Sequence, residues 1–269
     1  MSEIAPGQRP EDWSAGARGY DESFAIYTAE YAEDAIELLA IGPGDRVLDV
    51  AAGTGAFALR AALSGADVLA VDFSPGMVEL LAELADDQGL PMRVEEMDGQ
   101  ALGLADGEFD VTCSMFGVIF FPDLDRGLSE LARVTRSGGR VGLAVWDLTS
   151  FRITDLVGDA FAAVLPGFTR PNPPAWAHLG EREGLSGALS AAGLTDVEVH
   201  AVGHAWRFDD PAAFFRRIPD WAPPARPLFE ATDPSVIDAA AEAFATTIAR
   251  RADEDDLTAR ALIGIGTRP

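Results

Sequence analysis

The chain has 269 residues, 48% of them hydrophobic, and a formal charge of −24 at pH 7. That balance supports a substantial core and excludes global disorder. All 20 basic residues are Arg, scattered along the chain with adjacent pairs only at Arg216-Arg217 and Arg250-Arg251. Such a surface repels phosphate backbones and argues against nucleic acid as a partner.

Cys113 is the single cysteine, so no internal disulfide is expected, and its apolar neighbours suit a buried thiol. The N-terminus lacks the basic patch and apolar stretch of a signal peptide, and no run reaches membrane-spanning length. The expectation is a cytoplasmic protein, monomer or homodimer, that handles a small molecule.

Residues 1–19 are polar and rich in Gly, Pro and Arg, and read as a loose arm. Across residues 20–41, Tyr20, Phe24, Tyr27, Tyr31, Ile36 and Leu39 recur at helical spacing until Gly42-Pro43-Gly44-Asp45 breaks the pattern. Strands and helices then alternate. Strands are predicted at Arg46–Val50, Asp67–Asp72, Met92–Glu96, Phe109–Phe116 and Arg140–Trp146. Helices are predicted near Ala56–Ser64, from Ser74-Pro75-Gly76 onward, and over Asp125–Val134. Ser74 suits an N-cap and Pro75 a first helical turn. Ser137-Gly138-Gly139 reads as the turn into the fifth strand. Short apolar strands alternating with helices imply a parallel sheet covered on both faces.

The pattern changes after Trp146. Residues 148–180 hold Pro166, Pro171, Pro173 and Pro174 and show no strand signal; they read as an insertion. A helix over Glu181–Ala192 ends at Gly193. Val197–Val202 and Ala261–Gly266 read as the last strands. Between them, residues 209–256 carry helical stretches interrupted by prolines. The resulting division is an N-terminal helical arm or lid over 1–41, a core over 42–147, lid insertions over 148–180 and 209–256, and remaining core over 181–208 and 257–269. The fold class is α/β: a Rossmann-like, seven-stranded, mostly parallel sheet with helices on both faces and helical lid insertions.

In an open α/β sheet, ligands bind beyond the carboxyl ends of the strands. The loop Ala51–Gly55 sits there, with Gly53 and Gly55 allowing close backbone approach. Gly53-Thr54-Gly55-Ala56-Phe57-Ala58 fits the G-x-G-x-x-A form of the dinucleotide fingerprint. Asp49 argues against that ligand, because a pyrophosphate prefers backbone N–H groups without a carboxylate beside them. A ligand with an ammonium and a sulfonium tolerates it. Asp72 ends the second strand and suits two ribose hydroxyls of either ligand.

Val47–Gly55 resembles the first motif of the class I S-adenosylmethionine-dependent methyltransferases. Val71-Asp72-Phe73-Ser74-Pro75-Gly76-Met77 is similar to their second-strand motif, and Met97-Asp98-Gly99-Gln100 to the segment that meets adenine. Ser114-Met115-Phe116-Gly117 resembles the fourth-strand segment of the small-molecule, ubiquinone- and menaquinone-biosynthesis-like subgroup. Leu131–Arg140 is similar to the approach to the fifth strand, with Ser137 where Pro is more usual, and the tail Leu262–Pro269 to the last strand. The resemblance is dense over residues 45–147. It implies S-adenosylmethionine as cofactor, leaving S-adenosylhomocysteine, held by Asp49, Ala51, Gly53, Thr54, Gly55, Asp72, Phe73, Met77, Asp98, Gly99, Gln100, Ser114 and Phe116. Tyr20 and Tyr27 are lid candidates over the cofactor, with helix-face core as their alternative. Ala51 and Ala52 depart from the family, which usually carries Gly and often Cys there.

The reaction implied is methyl transfer to an O, C or N atom of a small aromatic or apolar metabolite. His178 and His204 are the candidate bases. No cluster of ligand-spaced His, Asp and Glu suggests a metal. The aromatic residues of the insertions, among them Phe151, Phe161, Trp176, Trp206, Phe214, Phe215 and Trp221, either line an acceptor pocket or form the core of a lid. Asn172-Pro173-Pro174-Ala175 resembles a motif of nucleic-acid amino methyltransferases, but it lies in the insertion rather than after the fourth strand. Two other functions stay open: a protein of the same fold catalysing a non-methyl reaction such as cyclisation, and an NAD-type oxidoreductase.

Overall fold

A computed structural model describes residues 7–150, 153–170, 175–253 and 257–269. The described residues form a seven-stranded sheet in the order β3-β2-β1-β4-β5-β7-β6. The strands are β1 (Arg46–Val50), β2 (Asp67–Asp72), β3 (Arg93–Glu96), β4 (Phe109–Met115), β5 (Thr135–Trp146), β6 (Thr195–Ala205) and β7 (Thr258–Thr267). The first five run parallel, and β7 is antiparallel to both β5 and β6. Strand order reverses between β1 and β4, so the switch point, where ligands bind in such sheets, lies at their carboxyl ends.

The near-continuous apolar strands are explained by burial on both faces. Val47, Val68, Ala70, Val111 and Cys113 face one core, while Leu48, Val50, Leu69 and Val71 face the other. Side chains alternate across a strand, so each run supplies both. Helices α3 (Ala25–Leu38), α4 (Ala58–Leu63) and α5 (Pro75–Asp87) cover the first face through Tyr31, Ala35, Ala58 and Leu81. Helices α6 (Leu124–Val134) and α8 (Arg182–Ala191) cover the second through Leu128, Leu131, Leu185 and Leu189. Cys113 is buried and free, as its apolar setting implied.

Local signals were reliable where a nearby partner enforces them. Ser74 caps α5, its hydroxyl accepting the Met77 N–H at 3.4 Å, and Pro75 opens the helix. Other expectations shift. Ser137-Gly138-Gly139 falls inside β5 as an irregularity in its pairing with β4, with Gly138 at φ +72°, rather than as a separate turn. The stretch expected as a loose arm carries α1 (Pro10–Ser14) and α2 (Ala17–Ser23), and both dock on the core. The first insertion contains α7 (Ile153–Val164). The second contains α9 (Pro211–Arg216), α10 (Ile218–Trp221), α11 (Arg226–Glu230) and α12 (Pro234–Asp253). Phe151 and the Asn172-Pro173-Pro174 stretch lie outside the described residues.

Candidate functional site

The loop after β1 turns sharply. Ala51, Gly53 and Gly55 have φ of +57°, +56° and +92°. Glycine adopts that region freely, whereas alanine does so at a cost of about 1–2 kcal/mol. The loop is braced from three sides. The Ala52 N–H donates to the Val71 carbonyl at 3.0 Å, and the Gly55 N–H to the Ala52 carbonyl at 2.9 Å. The Gly53 N–H donates to Asp72 Oδ2 at 2.9 Å, while the Ser74 N–H donates to Asp72 Oδ1 at 2.9 Å. Asp72 thus joins the end of β2 to the glycine loop and to the start of α5. Asp49, only 1% exposed, has the Cys113 thiol 3.9 Å from its Oδ1.

These elements enclose a cavity of about 30 Å³, lined by Tyr20, Thr28, Asp49, Ala51, Ala52, Gly53, Thr54, Ala56, Phe57 and Met115. None of those lining residues is basic. Burial, and then the nearby Asp72, raise the Asp49 carboxyl well above the usual carboxylate range. Burial also pushes Asp72 up to about 6, against the N–H donors that favour its charge. The Tyr20 phenol is pushed up to about 12, chiefly by burial. Two hydroxyls at this end of the sheet, Thr54 Oγ1 and Ser114 Oγ, are buried without a hydrogen-bond partner among the described residues. An orphaned buried group costs about 1–3 kcal/mol, so each calls for a ligand atom or a water. Buried acids, orphaned hydroxyls and an open-backbone loop fit a cationic, hydroxyl-rich ligand such as S-adenosylmethionine. They do not fit a pyrophosphate.

The methyltransferase domain family matches residues 47–139, which span β1 to the middle of β5. A demethylmenaquinone methyltransferase of Mycobacterium sp. (strain KMS) is 34% identical over 202 residues, covering 69% of this chain and 84% of that relative. The chain belongs to the class I S-adenosylmethionine-dependent methyltransferases. An uncharacterized protein of Mycobacterium tuberculosis is 38% identical over 172 residues, 59% of this chain and 60% of that relative. The chain therefore spans less than two thirds of such relatives. Among solved structures, the [4+2]-cyclase SpnF is similar with a TM-score of 0.53, 22% identity and coverage of 89% of this chain and 80% of that one. That likeness concerns the fold.

Within this methyltransferase fold, five of the residues expected to hold cofactor line the cavity together: Tyr20, Asp49, Ala51, Gly53 and Thr54. Asp72 touches the loop from beneath. Gly55 fills a packing role as well, since a Cβ there would lie 2.2 Å from Leu81 Cδ1. Gly99 is likewise pinned, between Val50 and Phe121. Asp98 is exposed and accepts the Gln100 N–H at 2.9 Å and its side-chain amide at 3.1 Å. Phe73 is half-buried beyond the end of β2. Met77 packs with Ala17, Leu80, Trp13 and Tyr20. Phe116, at φ +62°, stacks on Trp146 at 4.2 Å between centroids. Tyr27 stacks on Trp206 at 4.4 Å and donates to the Arg207 carbonyl at 2.6 Å, away from the cavity.

Neither histidine is brought to the cavity. His178 is exposed, its Nδ1 3.0 Å from the Ala175 carbonyl. His204, on β6, lies with Nε2 2.6 Å from Asp34 Oδ2 of α3. Of the aromatic residues expected in the insertions, Phe161, Trp206, Phe214, Phe215, Trp221 and Phe229 pack together with Phe24 and Phe244 as a third core, while Trp176 packs on the second. Thr28, Ala52, Ala56, Phe57 and Met115 line the cavity without having been expected to hold the cofactor. Met115 follows directly from Ser114; Thr28 arrives from a helix whose docking no local pattern marks.

Proposed function

We propose that this protein transfers the methyl group of S-adenosylmethionine to a small, apolar, aromatic acceptor. The observation that carries the reading is the cavity at the β1–β4 switch point, where buried Asp49 and Asp72 meet the glycine loop with no basic side chain among the lining residues. Bound there, the cofactor would supply an activated methyl on sulfur, and the chain would supply orientation and exclusion of water. Gly53 and Thr54 would meet its amino-acid end, Asp72 its ribose, and Asp98 its base. The name of the demethylmenaquinone methyltransferase relative supports a quinol-like acceptor. O-, C- and N-acceptors are all open to this site.

Calorimetry with S-adenosylhomocysteine and with NADH tests the cofactor. Binding of the first alone is expected; binding of NADH alone would sink the assignment. Radiolabelled methyl incorporation into a panel of quinols, phenols and amines then tests the reaction. Homocysteine-compound binding without incorporation into any acceptor would favour the non-methyl chemistry that this fold also hosts.

A further inference from the structure

Besides Thr54 and Ser114, two neutral side chains are buried without a hydrogen-bond partner among the described residues. They are Ser23, through its hydroxyl, and Trp221, through its indole Nε1. Their exposure is 9% and 7%, so each is about nine-tenths buried or more.

The two belong to facing helices. Ser23 ends α2 and Trp221 ends α10. A Cβ at Gly16 would lie 2.4 Å from the Asp220 carbonyl oxygen, and one at Gly19 would lie 2.7 Å from Asp220 Cβ. Gly16, Gly19 and Ser23 share one helical face, so the face that meets α10 is continued by Ser23. Phe24, the next residue, stacks on the Trp221 indole at 4.4 Å between centroids, 12° from parallel. Phe214 packs on the same indole at 5.3 Å. Both are phenylalanines and offer the indole N–H no oxygen. The hydrogen bond that this N–H makes to water in the unfolded chain is not replaced by either ring.

The chemistry of the pair narrows its ligand. An indole N–H only donates, whereas a hydroxyl both donates and accepts. Together they match one oxygen that takes the indole proton and shares a second hydrogen bond with the hydroxyl. A phenolic hydroxyl or a quinone carbonyl does this, and its ring suits the aromatic surroundings. An oxygen-free hydrocarbon leaves both groups orphaned, and the net charge of −24 disfavours an anion. The pair lies one ring beyond the cofactor cavity. Tyr20 lines that cavity, and Phe24 packs on Tyr20 at 5.8 Å. Trp146, at the end of β5, meets Phe24 at 6.2 Å.

We propose that Ser23 Oγ and Trp221 Nε1 bind a ring oxygen of the methyl acceptor, whose ring lies toward Trp146 and the cofactor cavity. The pair thereby selects an oxygen-bearing aromatic and sets which of its edges faces the methyl group. The acceptor role rests on the methyl-transfer reading above; the oxygen-binding pair does not.

Trp221→Phe keeps a ring against Phe24 and removes the N–H. Ser23→Ala keeps the helix and removes the hydroxyl. The probes are α-naphthol and α-methylnaphthalene, nearly one shape with and without the oxygen, titrated into the full-length protein with and without S-adenosylhomocysteine. Each variant should bind α-naphthol about tenfold more weakly than the wild type, the effect of losing one net hydrogen bond. Affinity for α-methylnaphthalene and for S-adenosylhomocysteine should not change. Ser23→Ala should melt at or above the wild-type temperature, because it removes a buried group that has no partner. Nuclear magnetic resonance of isotope-labelled protein reads the contact directly. The indole N–H signal that is absent from Trp221→Phe should move downfield with α-naphthol and stay in place with α-methylnaphthalene. An unmoved signal, as when a buried water already holds the N–H, would overturn the proposal. So would equal weakening toward both probes, or α-naphthol affinity that neither variant changes. The expected pattern in a protein that binds no S-adenosylhomocysteine would leave the pair standing and sink the cofactor assignment.

Discussion

Ala51 occupies a left-handed position where the family usually carries glycine, and Gly117 is the reason it fits. A Cβ at Gly117 would lie 2.4 Å from Ala51 Cβ, 3.1 Å from the Ala51 carbonyl oxygen and 2.9 Å from Ser114 Oγ. The methyl group has in effect moved across the contact between the β1 and β4 loops. Gly117→Ala is expected to cost about 2 kcal/mol by overpacking, since its own φ is ordinary at −86°. Ala51→Gly should rescue part of it, because it removes the tightest of these contacts and the left-handed strain. Urea unfolding of the two single variants and the double variant should give a coupling of about 1–2 kcal/mol. Additivity would show that the two loops do not share this space.

Elements were legible in proportion to how local their causes are. The strand–loop–helix from Val47 to Leu63 and the Ser74 cap declare themselves through neighbours in sequence. The contacts that complete the site join distant segments: Gly53 to Asp72 across 19 residues, Ser14 to Ser74 across 60. No pattern along the chain marks them. The aromatic insertions were ambiguous for a different reason, since composition alone does not separate a pocket wall from a lid core. Packing assigns Phe161, Phe214, Phe215 and Trp221 to the third core and Trp176 to the second. His204 shows the same limit. Its bond to Asp34 ties β6 to α3, with Tyr31 edge-on at 4.8 Å. His204→Ala distinguishes a brace from a base. We expect a melting temperature lower by about 2–4 °C, the equivalent of about 1 kcal/mol for a partly exposed pair, with kcat unchanged. A large fall in kcat at unchanged stability would make the histidine the base.

The whole molecule carries −24, and its two most deeply placed acids at the site have no basic partner among the cavity residues. This combination fixes the sign of its pH response. Asp72 in the folded protein is raised to about 6 from 3.8, so the stability its protonated form confers is complete below pH 3.8 and is lost as pH rises through 6. Asp49, raised by burial and by Asp72, acts in the same direction. Asp110, beside Arg136 and Arg46, is lowered to about 2 and acts oppositely, its contribution present above 3.8 and lost as pH falls through 2. Without ligand, stability should therefore be greatest in mildly acidic solution. Between about pH 4 and pH 7, Asp72 alone should remove about 3 kcal/mol, since its carboxyl moves from 3.8 to about 6 on folding. Asp72→Asn isolates this contribution: melting curves at pH 5 and pH 7.5 should differ less for the variant than for the wild type. An ionised Asp72 accepts both ribose hydroxyls, so S-adenosylmethionine should bind more tightly as pH rises through 6, with proton release visible as buffer-dependent heat. An affinity that falls over that interval would mean that Asp72 does not meet the ribose as a carboxylate.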